Sequence, residues 1–330
     1  MACSAAFSLI WGYGSCFRQQ ERKSFSDFFI KALKSAGGLF NIHVKIPVGL
    51  AFDYSLSIAG DGTPKWSTWI EPSMSPETQL RSLTSGGGGD GDGTGTPVKW
   101  TPSSSAREII VPTKDSLAQA NVLDVLMSQA VPVLFVGDTG TGKTVTVQTH
   151  LRSLSPSAWK VLSMTFTAQT KVLSTEKVIS SQLARRKRGV YGPPVGTTCA
   201  VHVDDVSVPT PETYGAQPPI ELLRQWLDHG GWYNHDELAF RSIVGLSLVA
   251  AAPLPEGGRE KMSARFTRHF NLIFCPTFSR SSLCQVFSAV VRLGVWQWGV
   301  EGRKGGREGQ RERGKQTERQ RERNRALGLA

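Results

Sequence analysis

The 330-residue chain has little of what builds cross-linked or metal-bound scaffolds. Its five cysteines, Cys3, Cys16, Cys199, Cys275 and Cys284, are odd in number, far apart and never spaced C-x-x-C. That pattern speaks against a disulfide framework or a zinc site and for a reducing compartment. The six histidines are equally scattered. His202, inside an apolar run, and His229, in a helical pattern, read as core or surface residues rather than metal ligands. No stretch approaches the roughly twenty apolar residues that a membrane helix needs. The opening MACSAAFSLIWGYGSCF has no basic flank, and Ser8, Gly12 and Gly14 interrupt it, so it reads as a packed helix rather than a leader. The expectation is a soluble protein.

Charge is present in quantity, with a formal net of +11, but it is unevenly placed. The last thirty residues hold ten Lys/Arg against five Glu, so nearly half of the excess lies in one tail. Without that tail the chain is only mildly basic, and a nucleic-acid-binding reading loses most of its support. The tail REGQRERGKQTERQRERNR has no apolar face and reads as low complexity unrelated to the fold. A second break, TSGGGGDGDGTGTP at 84–97, is too polar and flexible to pack. A shorter one, PEGGREK, spans 255–261.

Between the breaks, apolar periodicity lays out the elements. FSDFFIKAL predicts a helix, and GLAFDYSLSIAG and PKWSTWIEP predict short strands. REIIVPTKDSLAQANVLDVLMSQ predicts an extended piece, a turn at Pro112 and a helix with Leu117, Val122, Leu123 and Leu126 on its apolar side, N-capped by Asp115. VPVLFVG is a continuous apolar run of the kind found in buried parallel strands. Further strands are expected at 159–167, 199–205, 242–252 and 270–276. Helices fall between them, most clearly PPIELLRQWLDHGG, with Ile220, Leu223 and Leu227 on one face and Gly230 at its end. Strands alternating with helices predict an α/β fold, a parallel sheet flanked by helices on both faces.

The chemistry gathers at VPVLFVGDTGTGKT. Gly137, Gly142, Lys143 and Thr144 satisfy G-x-x-x-x-G-K-[ST], with a strand before and a helix after. Glycine lets successive N–H groups of the 137–144 loop turn toward phosphate oxygens, and the helix adds its positive dipole end. Lys143 reaches the terminal phosphates, and the Thr144 hydroxyl serves as a Mg²⁺ ligand. About sixty residues on, CAVHVDD ends an apolar strand in two carboxylates. Asp204 is assigned to the metal and Asp205 to a water molecule. In SARFTRHFN, Arg265 and Arg268 are each candidates to reach a neighbouring site, or a pair of solvated arginines.

These residues, taken together, resemble the dynein heavy chain family. The chain looks most like the third AAA+ module of an axonemal (ciliary) heavy chain. The stretches that carry the resemblance are FDYSL, EIIVPTKDS, PVLFVGDTGTGKT, RRKRGVYGPP, VDDVSVP, ETYGAQPPIELLRQWLDHGGWY, GGRE and RFTRHFN, in that order. The YGAQPPIELLRQW block is more diagnostic than the phosphate loop. The resemblance implies an AAA+ P-loop NTPase large subdomain at 108–277, with the helical lid beginning at 278–300 and mostly missing. It further implies the end of a preceding module's lid at 1–35 and a connecting segment at 36–107. The tail at 301–330 is expected to be disordered.

The same resemblance implies ATP or ADP with Mg²⁺ as cofactors. Ile110, Val111 and Pro112 would line the adenine side, and Gly137, Asp138, Thr139, Gly140, Thr141, Gly142, Lys143 and Thr144 would wrap the phosphates. Thr144 and Asp204 would hold the metal, Asp205 would act in catalysis, and Arg265, with Arg268 as alternative, would act in trans. In the family this third site modulates how the main motor site couples to microtubule release. Implied partners are the other AAA+ modules of the ring, and intermediate chains, light chains and microtubules through the full heavy chain, with no nucleic acid and no membrane. The implied location is the axoneme of a cilium, within the cytoplasm and its cytoskeleton.

Two departures weaken the expected turnover. Many AAA+ ATPases have Glu where Asp205 stands, one methylene longer. A polar sensor residue often follows the fourth strand, where this chain has Pro253 in VAAAPLPEGG, and proline offers no side-chain hydrogen bond. A regulatory ATPase and a nucleotide-dependent structural module therefore both remain open.

Overall fold

A computed structural model describes residues 2–40, 49–58, 64–69, 110–235, 238–255 and 261–291. The Gly-rich stretch at 84–97 and the basic tail from 301 lie outside the described residues. The chain divides into two compact units, Met1–Ser73 with Lys114–Phe278, and Met74–Thr113 with Ser279–Ala330. In the second unit, a helix over 280–291 starts behind Ser279, whose Oγ accepts from the Ser282 amide at 3.1 Å as an N-cap. There the Gln285 amide Nε2 donates to the Pro112 carbonyl at 3.1 Å.

In the first unit, helices α1 (Ala2–Gly14) and α2 (Gln19–Phe40) precede an antiparallel hairpin of β1 (Tyr54–Ile58) and β2 (Pro64–Thr68). Then come α3 (Lys114–Ser128), β3 (Val133–Gly137), α4 (Lys143–Ser153), β4 (Trp159–Thr165) and α5 (Val172–Ser180). A pair of short strands follows, β5 (Ala184–Lys187) and β6 (Val190–Gly192), then β7 (Thr198–Asp204) and α6 (Pro218–His229). The last elements are β8 (Gly231–Tyr233), β9 (Phe240–Ile243), β10 (Leu246–Pro253), the single helical turn α7 (Ala264–Thr267) and β11 (Asn271–Cys275).

The main sheet has five strands in the order β11-β3-β10-β7-β4, and every neighbouring pair is parallel. Its inner strands β3, β10 and β7 are covered on both faces, so alternate residues enter two separate cores, while the edge strand β4 is largely exposed. Leu134, Val201, Val203, Leu248 and Ala250 pack on one face with Ile220, Leu223, Trp226 and Trp232. Val133, Phe135, Val249, Ala251 and Ile273 pack on the other with Ile10, Trp11, Phe52, Val122 and Leu123. This two-sided burial is why β3 and β10 read as unbroken apolar runs.

Four details differ from the sequence expectations. The buried side of α3 is Ala118, Val122, Leu123 and Met127, while Leu117 and Leu126 are only half-buried. Asp115 stands inside the first turn of α3 rather than capping it, and pairs with Arg22 at 3.8 Å. The run 242–252 is two strands: Gly245, at φ 73°, turns the chain between β9 and β10. Strands β5, β6, β9 and β8 form a second, four-stranded sheet that alternation did not announce, because β5 is exposed along its length and β6 and β8 have three residues each. By contrast, α6 follows its sequence signals closely. Proline occupies its first turn, and Gly230, at φ 67°, closes it with an amide bond to the Trp226 carbonyl at 2.7 Å.

His202 is fully buried in β7, with Nδ1 2.9 Å from the Ser163 hydroxyl of β4. Burial lowers its pKa below the ordinary 6.5, with Asp204 opposing weakly, and burial acts likewise on His150. The unfolded chain therefore takes up these protons at higher pH than the folded one. Stability is complete above the unfolded value and is lost as pH falls through the folded one.

Two predictions follow from this packing. Leu223→Ala, at a site with no solvent exposure, should cost about 2–5 kcal/mol in urea unfolding; a cost near zero would place Leu223 outside the core. The unfolding free energy should also drop as pH is lowered from 7 through the histidine range, and His202→Gln should flatten that dependence. An unchanged slope would assign the acid sensitivity elsewhere.

Candidate nucleotide site

The carboxyl edge of the main sheet is where strand ends and loops meet, and there the site is assembled. Strand β3 ends at Gly137, which is in register with Cys275 of β11 and with Pro253 of β10. A Cβ on Gly137 would stand 2.5 Å from the Cys275 carbonyl oxygen, so only glycine fits without displacing β11. The loop then turns through Gly140 and Gly142 at φ 81° and 82°, backbone that side chains disfavour. Asp138, Thr139 and Gly140 are exposed at its crest, and the Thr141 hydroxyl donates to the Asp138 carbonyl at 2.8 Å. Gly142 hands directly into the eleven-residue helix α4.

Lys143 opens that helix and is 9% exposed. Its Nζ curls back into the loop, donating to the carbonyls of Gly137 at 2.9 Å and Asp138 at 2.6 Å, with Thr141 Oγ1 at 3.5 Å. Among the described residues it pairs with no carboxylate. A nearly buried ammonium held only by neutral oxygens, at the positive end of a helix, is a cation suited to an anionic ligand. The donor set therefore fits nucleotide phosphates.

The next residue makes the link across the sheet. Thr144 Oγ1 donates to Asp204 Oδ2 at 2.8 Å. Asp204 ends β7, whose register is carried to β3 by β10 between them. A hydroxyl and a carboxylate are hard oxygen donors, which fits Mg²⁺. The other Asp204 oxygen accepts from the Asp205 amide at 3.1 Å. Asp205 takes a left-handed conformation at φ 53° and is exposed, so the chain turns off the strand immediately after Asp204. Aspartate tolerates that conformation better than most side chains. Pro253 is buried at the end of β10, beside Gly137.

The two arginines have different surroundings. Arg265 lies within the α7 turn, is exposed, and its side chain makes no ion pair or hydrogen bond among the described residues. Arg268 is engaged, its Nη2 2.7 Å from Asp228 Oδ1 on α6. Asp228 also accepts from Arg224, and His269 Nε2, which accepts from Arg268 Nε at 3.3 Å, stands 2.9 Å from Asp228 Oδ1. The Arg268 hydrogen bond holds the Asp228 carboxyl below its usual pKa. Ile110, Val111 and Pro112 run without helix or strand in the second compact unit, with Ile110 exposed and the other two half-buried.

Sequence reasoning missed Arg22 and Cys275. Arg22 is 5% exposed, and its guanidinium lies over the Phe52 ring at 5.1 Å. Cys275, free like the other four cysteines, is buried next to Gly137, and burial pushes its thiol up to about 12. Neither belongs to a local motif. Arg22 is one of several charges in α2, and the only hint at Cys275 was a cysteine closing an apolar strand.

Comparison with known proteins agrees with this geometry. The family described as P-loop containing dynein motor region matches residues 98–278, and the family described as dynein heavy chain AAA lid domain matches residues 1–71. Similar proteins include dynein axonemal heavy chain 1 of Homo sapiens, 37% identical over 302 residues, covering 90% of this chain and 7% of the relative. Dynein axonemal heavy chain 3 of Homo sapiens is 32% identical over 295 residues, covering 86% and 7%. Dynein axonemal heavy chain 12 of Mus musculus is 32% identical over 301 residues, covering 87% and 9%. The chain thus spans less than a tenth of the length of these relatives. With a phosphate-type loop on β3, a Thr144–Asp204 link across a five-stranded parallel sheet and these matches, the chain belongs to the dynein heavy chain family.

Proposed function

We propose that this chain is a regulatory ATP-binding AAA+ module, the third of the ring, in an axonemal dynein heavy chain, a minus-end-directed microtubule motor for cilium movement. The observation that supports it most is the Lys143–Thr144 pair at the head of α4, with Thr144 bonded to Asp204. In this reading Lys143 binds the terminal phosphates, and Thr144 and Asp204 hold Mg²⁺. Gly137, Asp138, Thr139, Gly140, Thr141 and Gly142 enclose the phosphates, while Ile110, Val111 and Pro112 take the adenine. Bound nucleotide and Mg²⁺ supply the phosphoryl group and its charge neutralisation. Asp205 orients a water, and Arg265 reaches the nucleotide of the adjoining module. The partners are the other modules of the ring and, through the full heavy chain, intermediate chains, light chains and microtubules in the axoneme.

A second reading is favoured by Asp205 and Pro253. A carboxylate one methylene short of glutamate, beside a proline that offers no donor, suits a module that holds nucleotide without turning it over. Such a module would regulate through occupancy alone.

Titration of the purified chain with a fluorescent ATP analogue and Mg²⁺ should show binding that Lys143→Ala weakens by about 30-fold or more, the loss of a buried charge contact of about 2–5 kcal/mol. Binding unaltered by Lys143→Ala would overturn the site. Phosphate release should stay near background and rise in Asp205→Glu if carboxylate reach limits hydrolysis. No rise in Asp205→Glu would favour the purely structural reading.

A further inference from the structure

Strand β11 is the edge of the main sheet, and its outer side is taken up by the turn between α1 and α2. The Phe274 amide donates to the Ser15 carbonyl at 2.9 Å, and the Ser15 hydroxyl donates to the Leu272 carbonyl at 2.7 Å. Arg22 completes the seam. Its Nη2 donates to the Phe274 carbonyl at 3.0 Å and its Nε to the Phe17 carbonyl at 3.3 Å, with Nη1 3.8 Å from Asp115 Oδ1. The turn is close-packed as well, since a Cβ on Gly14 would meet the Phe52 ring at 2.6 Å.

A guanidinium so enclosed is costly to bury, and burial lowers its pKa despite Asp115. Its partners are ones that matter for the phosphate loop. Phe274 is the residue before Cys275, and the Cys275 backbone is the wall against which Gly137 is seated. Gly137 in turn offers its carbonyl to Lys143. Four consecutive contacts therefore run from Asp115 and Arg22, through Phe274 and Cys275, to Gly137 and Lys143. Three of the four are tight, two being hydrogen bonds near 3 Å and one a glycine-only approach, while the Arg22–Asp115 pair is looser at 3.8 Å.

We propose that Arg22 is a positioning residue for the phosphate loop: by holding the carboxyl end of β11 it seats Gly137, and so couples the α1–α2 turn to nucleotide affinity. The inference rests on the phosphate-site reading above. It makes the packing of the N-terminal helices a determinant of how tightly the site grips. By reciprocity, occupancy of the site tightens the same seam.

The test uses the full 330-residue chain and a fluorescent ATP analogue with Mg²⁺. Arg22→Met keeps length and contact with Phe52 but removes charge and donors. It should weaken binding about 5-fold or more, the lower end of coupling between linked sites. Arg22→Lys, which restores the charge and a donor, should recover part of the affinity. Arg22→Met binding as tightly as the unmutated chain overturns the proposal, as does a loss that Arg22→Lys fails to relieve. Should Arg22→Met not fold, amide exchange on the unmutated chain decides. Saturating nucleotide should slow exchange in peptides covering 15–22 and 271–275, and unchanged exchange there overturns the coupling. Failure of the unmutated chain to bind nucleotide at all is a different result, because it overturns the phosphate-site reading and this inference with it.

Discussion

Gly137 touches the backbone of its neighbouring strand so closely that a Cβ there would stand 2.5 Å from the Cys275 oxygen. That approach sets where the phosphate loop leaves the sheet. With Gly137 seated, its carbonyl and that of Asp138 are placed to receive Lys143, and α4 begins at the height that brings Thr144 to Asp204. The register of three parallel strands, β3, β10 and β7, carries this geometry across the sheet, so the Thr144–Asp204 bond of 2.8 Å is a consequence of strand pairing as much as of the two residues. The buried cores on either face keep that register, since a slip of one residue would exchange the contents of the two faces.

Much of this was readable from the residues because the informative signals are local. The apolar run of β3, the glycines that follow it and Lys143 lie within a dozen residues, and each type is required by backbone or charge. The α6 helix was legible for the same reason: proline, an apolar face and a terminal glycine each act within a turn or two. Asp204 was legible at a distance of sixty residues only because an apolar strand ends in it, and strand ends gather at one edge of a parallel sheet.

What was not legible depends on tertiary packing. The buried side of α3 takes in Ala118 and Met127 beside Val122 and Leu123, while Leu126 is half-buried but still packed against that core and Leu117 is half-buried. The second sheet escaped notice because β6 and β8 are too short to show alternation, and β5 is a run of four residues, three of them basic, with no buried face. Arg22 looked like one more helix-surface charge. Its burial comes from β11, 252 residues away, which no window along the chain can see.

Packing gives the two arginines at the end of α7 different surroundings. Arg265 lies in the one-turn helix α7 and Arg268 caps its end three residues on, and composition treats them alike. Asp228 distinguishes them. It accepts from both Arg268 and Arg224 and lies 2.9 Å from His269 Nε2, so Arg268 is held in a charge cluster that fastens the end of α7 to α6. Arg265 has no such tie among the described residues. The same cluster that occupies Arg268 also anchors the turn from which Arg265 projects. Under the proposal that Arg265 acts in trans, Asp228 would fix the base from which it reaches, and a group that must meet developing charge gains from a base that does not move.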